Sequence, residues 1–67
     1  MDIDIRKSIK NNFSDSDLEE IRNSIEDSIN KGDEITLPGL GVFFEILWNN
    51  SYDTKKDYIL QTLKKGL

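Results

Sequence analysis

Ile5, Ile9 and Phe13 recur every four residues, a spacing that places all three on one face of a helix and predicts a first amphipathic segment. Asp2 stands where a cap for that helix is expected. Arg6, Lys7 and Lys10 fall in its later turns, where cations suit the negative end of the helix dipole. A second stripe follows at Leu18, Ile21, Ile25 and Ile29, with steps of three, four and four. Ahead of it, Ser16 with Glu19 three residues on forms a capping-box pattern. Gly32 after Lys31 fits the left-handed stop. These signals predict a second helix over roughly 17–31.

Beyond Gly32 the period is lost. The stretch "DEITLPGLG" is expected to be a short extended connector over about 34–37, with Pro38 disfavouring helix in the residue before it. Gly39 and Gly41 are expected to permit a backbone turn whose entry Pro38 sets. A helical wheel from Pro38 gathers Gly41, Glu45 and Asn49 on a narrow polar stripe, and Leu40, Val42, Phe43, Phe44, Ile46, Leu47 and Trp48 cover the rest. So broadly apolar a helix belongs at the centre of a small bundle or against another chain. The alternative is a strand, with Val42, Phe44, Ile46 and Trp48 on one face, because short apolar runs do not separate the two by periodicity. The spacing of four among the polar positions favours the helix. In the final segment Ser51 or Asp53 can cap a helix carrying Tyr52, Lys56, Ile59, Leu60 and Leu63, with Lys64 and Lys65 in its last turn and Gly66 ending it. The expectation is one small all-α domain over 1–67 with three or four helices. Its alternative is α+β, two helices followed by a β-hairpin at 35–48.

Composition narrows what such a domain can be. A chain of 67 residues buries only about 60% of the surface its unfolded form exposes, so its stability is expected to be marginal. Small domains are often helped by disulfides, a metal or self-association. With no cysteine and no histidine, disulfides are closed and a structural zinc is not expected. Association with itself or with a partner is the remaining helper. The opening "MDIDIRKSIK" has no apolar core of a signal peptide, and no run reaches the ~20 apolar residues of a membrane span. An intracellular, soluble protein without cofactor, membrane contact or small-molecule substrate is therefore expected.

Several residue groups imitate functional motifs. Asp15, Asp17, Glu19 and Glu26 fall at positions one, three, five and twelve of a calcium loop, but Glu20 occupies the place of its required glycine. A solvated acidic helix face is the expectation. Glu45, the one acid in the apolar run, would need a raised pKa and a partner group to act as a general acid. It is expected on the exposed stripe, and no catalytic residue is nominated. The formal net charge of -4 opposes phosphate binding. The two basic groups, Arg6/Lys7/Lys10 and Lys55/Lys56/Lys64/Lys65, are expected to serve helix dipoles and solvation, forming a weak phosphate-binding face only if the fold brings them together. Aromatic residues are enriched in interface centres, so Leu40, Phe43, Phe44, Leu47 and Trp48 are the candidates for core or for a protein contact.

With these residues laid out, "KGDEITLPGLGVFFEILWNNS" resembles the signature of the small acid-soluble spore protein I family of spore-forming Gram-positive bacteria. The likeness extends over the whole chain, from "MDIDIRK" through the "LPGLGV" segment to the closing "LKKGL". It implies a minor, non-enzymatic protein of the spore core, made in the developing forespore; size and the apolar third segment separately lead to the expectation of a protein partner, a second copy or another spore component. A lesser likeness, over about residues 3–45, is to the histone-like HU proteins, in which two helices lead to a glycine-centred β-turn. It stops where HU-type proteins extend a basic arm. Here the chain continues "ILWNNSYD", without arginine, so DNA binding is not carried over, and an HU-like nucleoid-associated DNA-binding protein stands only as the alternative function.

Overall fold

The structure, a computed structural model, describes residues 4–67. Helix α1 spans Ile5–Phe13, α2 Leu18–Lys31, α3 Leu37–Asn49 and α4 Asp53–Gly66. Among the described residues there is no strand, so the fold is all-α and the hairpin alternative at 35–48 is not supported.

Each helix boundary has a local cause. Asp4 caps α1, its carboxylate accepting from the Lys7 N–H at 3.1 Å. Asp2, the cap expected from the sequence, lies outside the described residues. The capping box of α2 forms one residue later than expected. Asp17 accepts from the Glu20 N–H at 2.8 Å, and the Asp17 N–H donates to the Glu20 carboxylate at 3.0 Å. Both S-x-x-E and D-x-x-E are present in register. Ser16 is taken up instead by the turn that leaves α1, its N–H donating to the Phe13 carbonyl at 3.1 Å. Asp17 is then the residue left in extended backbone, with φ -81° and ψ 175°. Gly32 ends α2 as expected, at φ 60° and ψ 20°, its N–H donating to the Ser28 carbonyl.

The connector departs from the expectation. Residues 34–36 form a turn instead of an extended stretch. The Asp33 carbonyl accepts from the N–H groups of Thr36 and Leu37 at 3.0 and 3.3 Å, and from the Thr36 hydroxyl at 2.8 Å. Once that carbonyl has drawn in Leu37, the helix continues. Pro38 is its second residue, where the missing N–H removes no intrahelical bond. Gly39 and Gly41, expected in a turn, therefore lie inside α3, and Gly32 alone among the described residues has positive φ.

The exit from α3 and the entry to α4 also differ from the sequence reading. Ser51 does not cap α4; its hydroxyl donates back to the Leu47 carbonyl at 2.6 Å, and the Asn50 amide donates to Ile46 O at 2.8 Å. These two side chains close the end of a helix that has no basic residue in its last turn. The N-cap of α4 is Tyr52, without a side-chain bond, and Asp53 is the first helical residue, its charge favourable to the dipole. Lys64 and Lys65 occupy the last turn as expected, and Gly66 is the final helical residue, not a left-handed stop.

Helix α3 is the hub. Helix α1 packs on it most extensively and α2 less so. The α1 contact is anchored by Phe13 and Phe43, whose rings meet edge to face with centroids 5.1 Å apart, a favoured aromatic geometry. The interior is thin: Val42 is the one buried residue among those described. The Cα radius of gyration is 13.0 Å, against roughly 11 Å for a compact domain of this length.

Candidate functional site

The apolar stripes of α1, α2 and α3 converge without closing. Ile9 and Phe13, Ile21 and Ile25, and Leu40 with Phe43 line the walls of an open groove of about 750 Å³. Its far side is bounded by Phe44, Ile46 and Leu47, and no α4 residue lines it. Four of the five contact candidates, Leu40, Phe43, Phe44 and Leu47, are thus brought together in this groove. Phe44 and Leu47 remain 41% and 46% exposed, which marks them as the lip of the groove and not its floor.

Trp48, the fifth candidate, stands apart from that wall. It is half-buried on the α4 side, stacked on Phe44 with centroids 6.1 Å apart. The Lys56 ammonium lies 5.1 Å from its ring centroid, within cation–π range. This contact ties the first turns of α4 to the end of α3. A second, smaller cleft of about 330 Å³ follows it, between Phe44 and Leu47 on α3 and Tyr58, Ile59 and Leu63 on α4. Phe44 and Leu47 line both hollows, so the apolar surface is continuous from α2 across α3 to α4. Leu60, which does not line that cleft, is about half exposed on α4, and Leu67, just past the end of the helix, is fully exposed.

Opposite the groove, Glu45 meets a partner 39 positions away in sequence. The Arg6 guanidinium donates to both carboxylate oxygens, Nε at 2.6 Å and Nη2 at 3.0 Å. This fork geometry is the stronger form of a charge-assisted bond. The hydrogen bonds from Arg6 hold the Glu45 pKa below its ordinary value, opposite to what a general acid at neutral pH requires. Arg6 is largely in solvent and Glu45 partly so, so the pair fixes how α1 lies on α3 more than it stabilises the fold. Nothing in the local sequence signals it.

The remaining motif candidates resolve into surface roles. Asp17 and Glu20 form the α2 cap, and Glu26 pairs with Arg22 one turn before it at 3.3 Å. Among the described residues no group of three or more histidine, cysteine, aspartate or glutamate side chains is arranged to hold a metal ion. Of the two basic groups, Arg6 is engaged with Glu45 and Lys56 with Trp48. Among the described residues no helix is long and apolar enough to cross a membrane. The residues missed by the sequence reading are the groove walls on α1 and α2, Ile9, Phe13, Ile21 and Ile25. Their stripes were visible, but the hollow they would frame was not.

Sequence comparison matches the chain over nearly its full length. The model of a family described as small, acid-soluble spore protein I matches residues 3–67. Curated proteins carrying that same name are similar throughout. The relative from Geobacillus kaustophilus is 39% identical over 67 residues, covering 100% of this chain and 97% of its own length. That from Bacillus licheniformis is 40% identical, covering 100% and 96%, and that from Bacillus subtilis 37%, covering 100% and 94%. No solved structure matches.

Proposed function

Because the chain belongs to the small, acid-soluble spore protein I family, we propose that it is a minor protein of the spore core that works without catalysis, through contacts with protein. The observation that carries this reading is the match over residues 3–67, together with relatives of the same name and nearly the same length. The non-enzymatic part is supported by composition and geometry: histidine and cysteine are absent, and Glu45 is held ionised by Arg6. The contact role is supported by the continuous apolar surface of α3, at which Phe44 and Leu47 remain open to solvent. Nucleic acid is not the proposed partner, since the net charge is -4 and phosphate affinity rests on clustered cations.

A functional fluorescent fusion tests the reading. It should appear in the forespore late in sporulation and persist in the mature spore core. Signal in vegetative cells, or confinement to the coat, would overturn it. Retention on DNA at physiological salt tighter than about micromolar, beyond the usual non-specific range, would overturn the protein-contact role.

A further inference from the structure

The groove between α1, α2 and α3 is apolar, open and rimmed by half-exposed aromatic and leucine side chains. What would cover it is indicated by the rest of the molecule. Helix α4 is the element least engaged with its own chain. Away from its own cleft it leaves Leu60 half exposed, with Leu67 fully exposed just past its end. The charges beside the two surfaces are opposite in balance. Helix α2 carries Glu19, Glu20, Glu26 and Asp27 against Arg22 and Lys31, whereas α4 carries Lys55, Lys56, Lys64 and Lys65 against Asp53 and Asp57.

Area supports the same occupant. The chain exposes 5957 Å² for a mass of 7.8 kDa, about 1,600 Å² above the roughly 4,400 Å² characteristic of a folded monomer of that size. Residues 1–3, even at the extended-chain maximum, account for only about 500 Å² of the surplus. What remains exceeds the ~800 Å² that each partner contributes to a standard interface.

We propose that this surface is completed by a second copy of the chain, in a two-fold dimer in which α4 of each copy lies in the α1–α2–α3 groove of the other. Such an interface is isologous: the same two patches meet twice. Leu60 enters beside Phe44 and Leu47, and the basic flank of α4 runs along the acidic flank of α2. The inference rests on the contact role proposed above and gives it a partner. A monomer that still localises to the spore core would end the dimer and leave the cellular assignment in place.

Sedimentation equilibrium on the full chain is the test, with circular dichroism confirming that each variant stays helical. The wild type should approach twice 7.8 kDa at concentrations on the order of 100 μM. A Leu60→Glu variant should remain helical and sediment as a monomer. Two charge-reversed chains provide a test that does not depend on apolar truncation. K64E/K65E alone and E19K/E26K alone should each dimerise at least tenfold more weakly than wild type. Their equimolar mixture should recover the dimer, because both α2–α4 contacts are then complementary. A wild type that stays monomeric to about millimolar, or a mixture that fails to recover association, overturns the proposal. So do intermolecular NOEs in an isotope-mixed sample that place Leu60 away from Phe44 and Leu47.

Discussion

Gly32 and Gly41 should respond in opposite ways to the same substitution. Gly32 sits at φ 60°, where a side chain meets its own backbone, so Gly32→Ala is expected to cost about 1 kcal/mol. Gly41 is inside α3 with open space where a Cβ would be, and Gly41→Ala should stabilise the chain by about 0.5–1 kcal/mol. Thermal melts of the two variants check both signs. At Glu45 the prediction concerns pH. Its pKa is lowered by Arg6, so the contribution of the pair is complete above the ordinary carboxylate value and is lost as pH falls through the lowered one. Glu45→Gln should lower the neutral plateau by the small amount the pair contributes and flatten the acid limb by that same amount, so that the two chains converge at low pH. An acid limb identical to that of wild type would show that the pair carries no such linkage. Residues of this kind were illegible beforehand for a physical reason. A surface ion pair spanning 39 positions leaves no periodic trace, whereas the stop at Gly32 is written in one residue.

The four helices were legible as elements because their stripes and caps repeat the geometry of the helix itself. Their boundaries were less so. Ser16 and Asp17 both fit an α2 cap, and only the turn that consumes the Ser16 N–H decides between them. The extended connector failed for a similar reason, since the bonds from Thr36 and Leu37 to the Asp33 carbonyl depend on backbone path and not on residue type. In α3, the helix prevailed over the strand despite glycines at 39 and 41, each costing about 1 kcal/mol relative to alanine. Burial of Val42 and the meeting of Phe13 with Phe43 offset that cost. Val42→Ala is accordingly expected to lose about 1.5–3 kcal/mol. Phe44→Ala, at the groove lip, should cost distinctly less in the monomer. Denaturant titration at low protein concentration measures both, and a larger loss at Phe44 would contradict the placement of the interior. At Trp48 the prediction concerns α4, which the Lys56 contact tethers. Trp48→Ala should raise hydrogen exchange in the first turns of α4 before that of α1 and α2.

At the scale of the whole molecule, composition announced the essential difficulty before any coordinate did. A chain of 67 residues without cysteine or histidine has few ways to be self-sufficient. The sequence reading named the aromatic residues of α3 as core or contact. In the structure, Leu40, Phe43, Phe44 and Leu47 line one open groove, while Val42 alone among the described residues is buried. That division depends on how far α1, α2 and α4 lie from α3, which no stripe on a single helix records.

An interior closed over one valine has a consequence for how the protein melts. If the groove is filled by another copy, folding and association draw on the same contacts, and the law of mass action governs both. Calorimetric transitions should then move to higher temperature as the solution is made more concentrated, by several degrees across a hundredfold range. A self-contained monomer melts at one temperature however dilute it is. In a crowded compartment the chain's order would therefore follow its own abundance, present where many copies accumulate and relaxed where few remain.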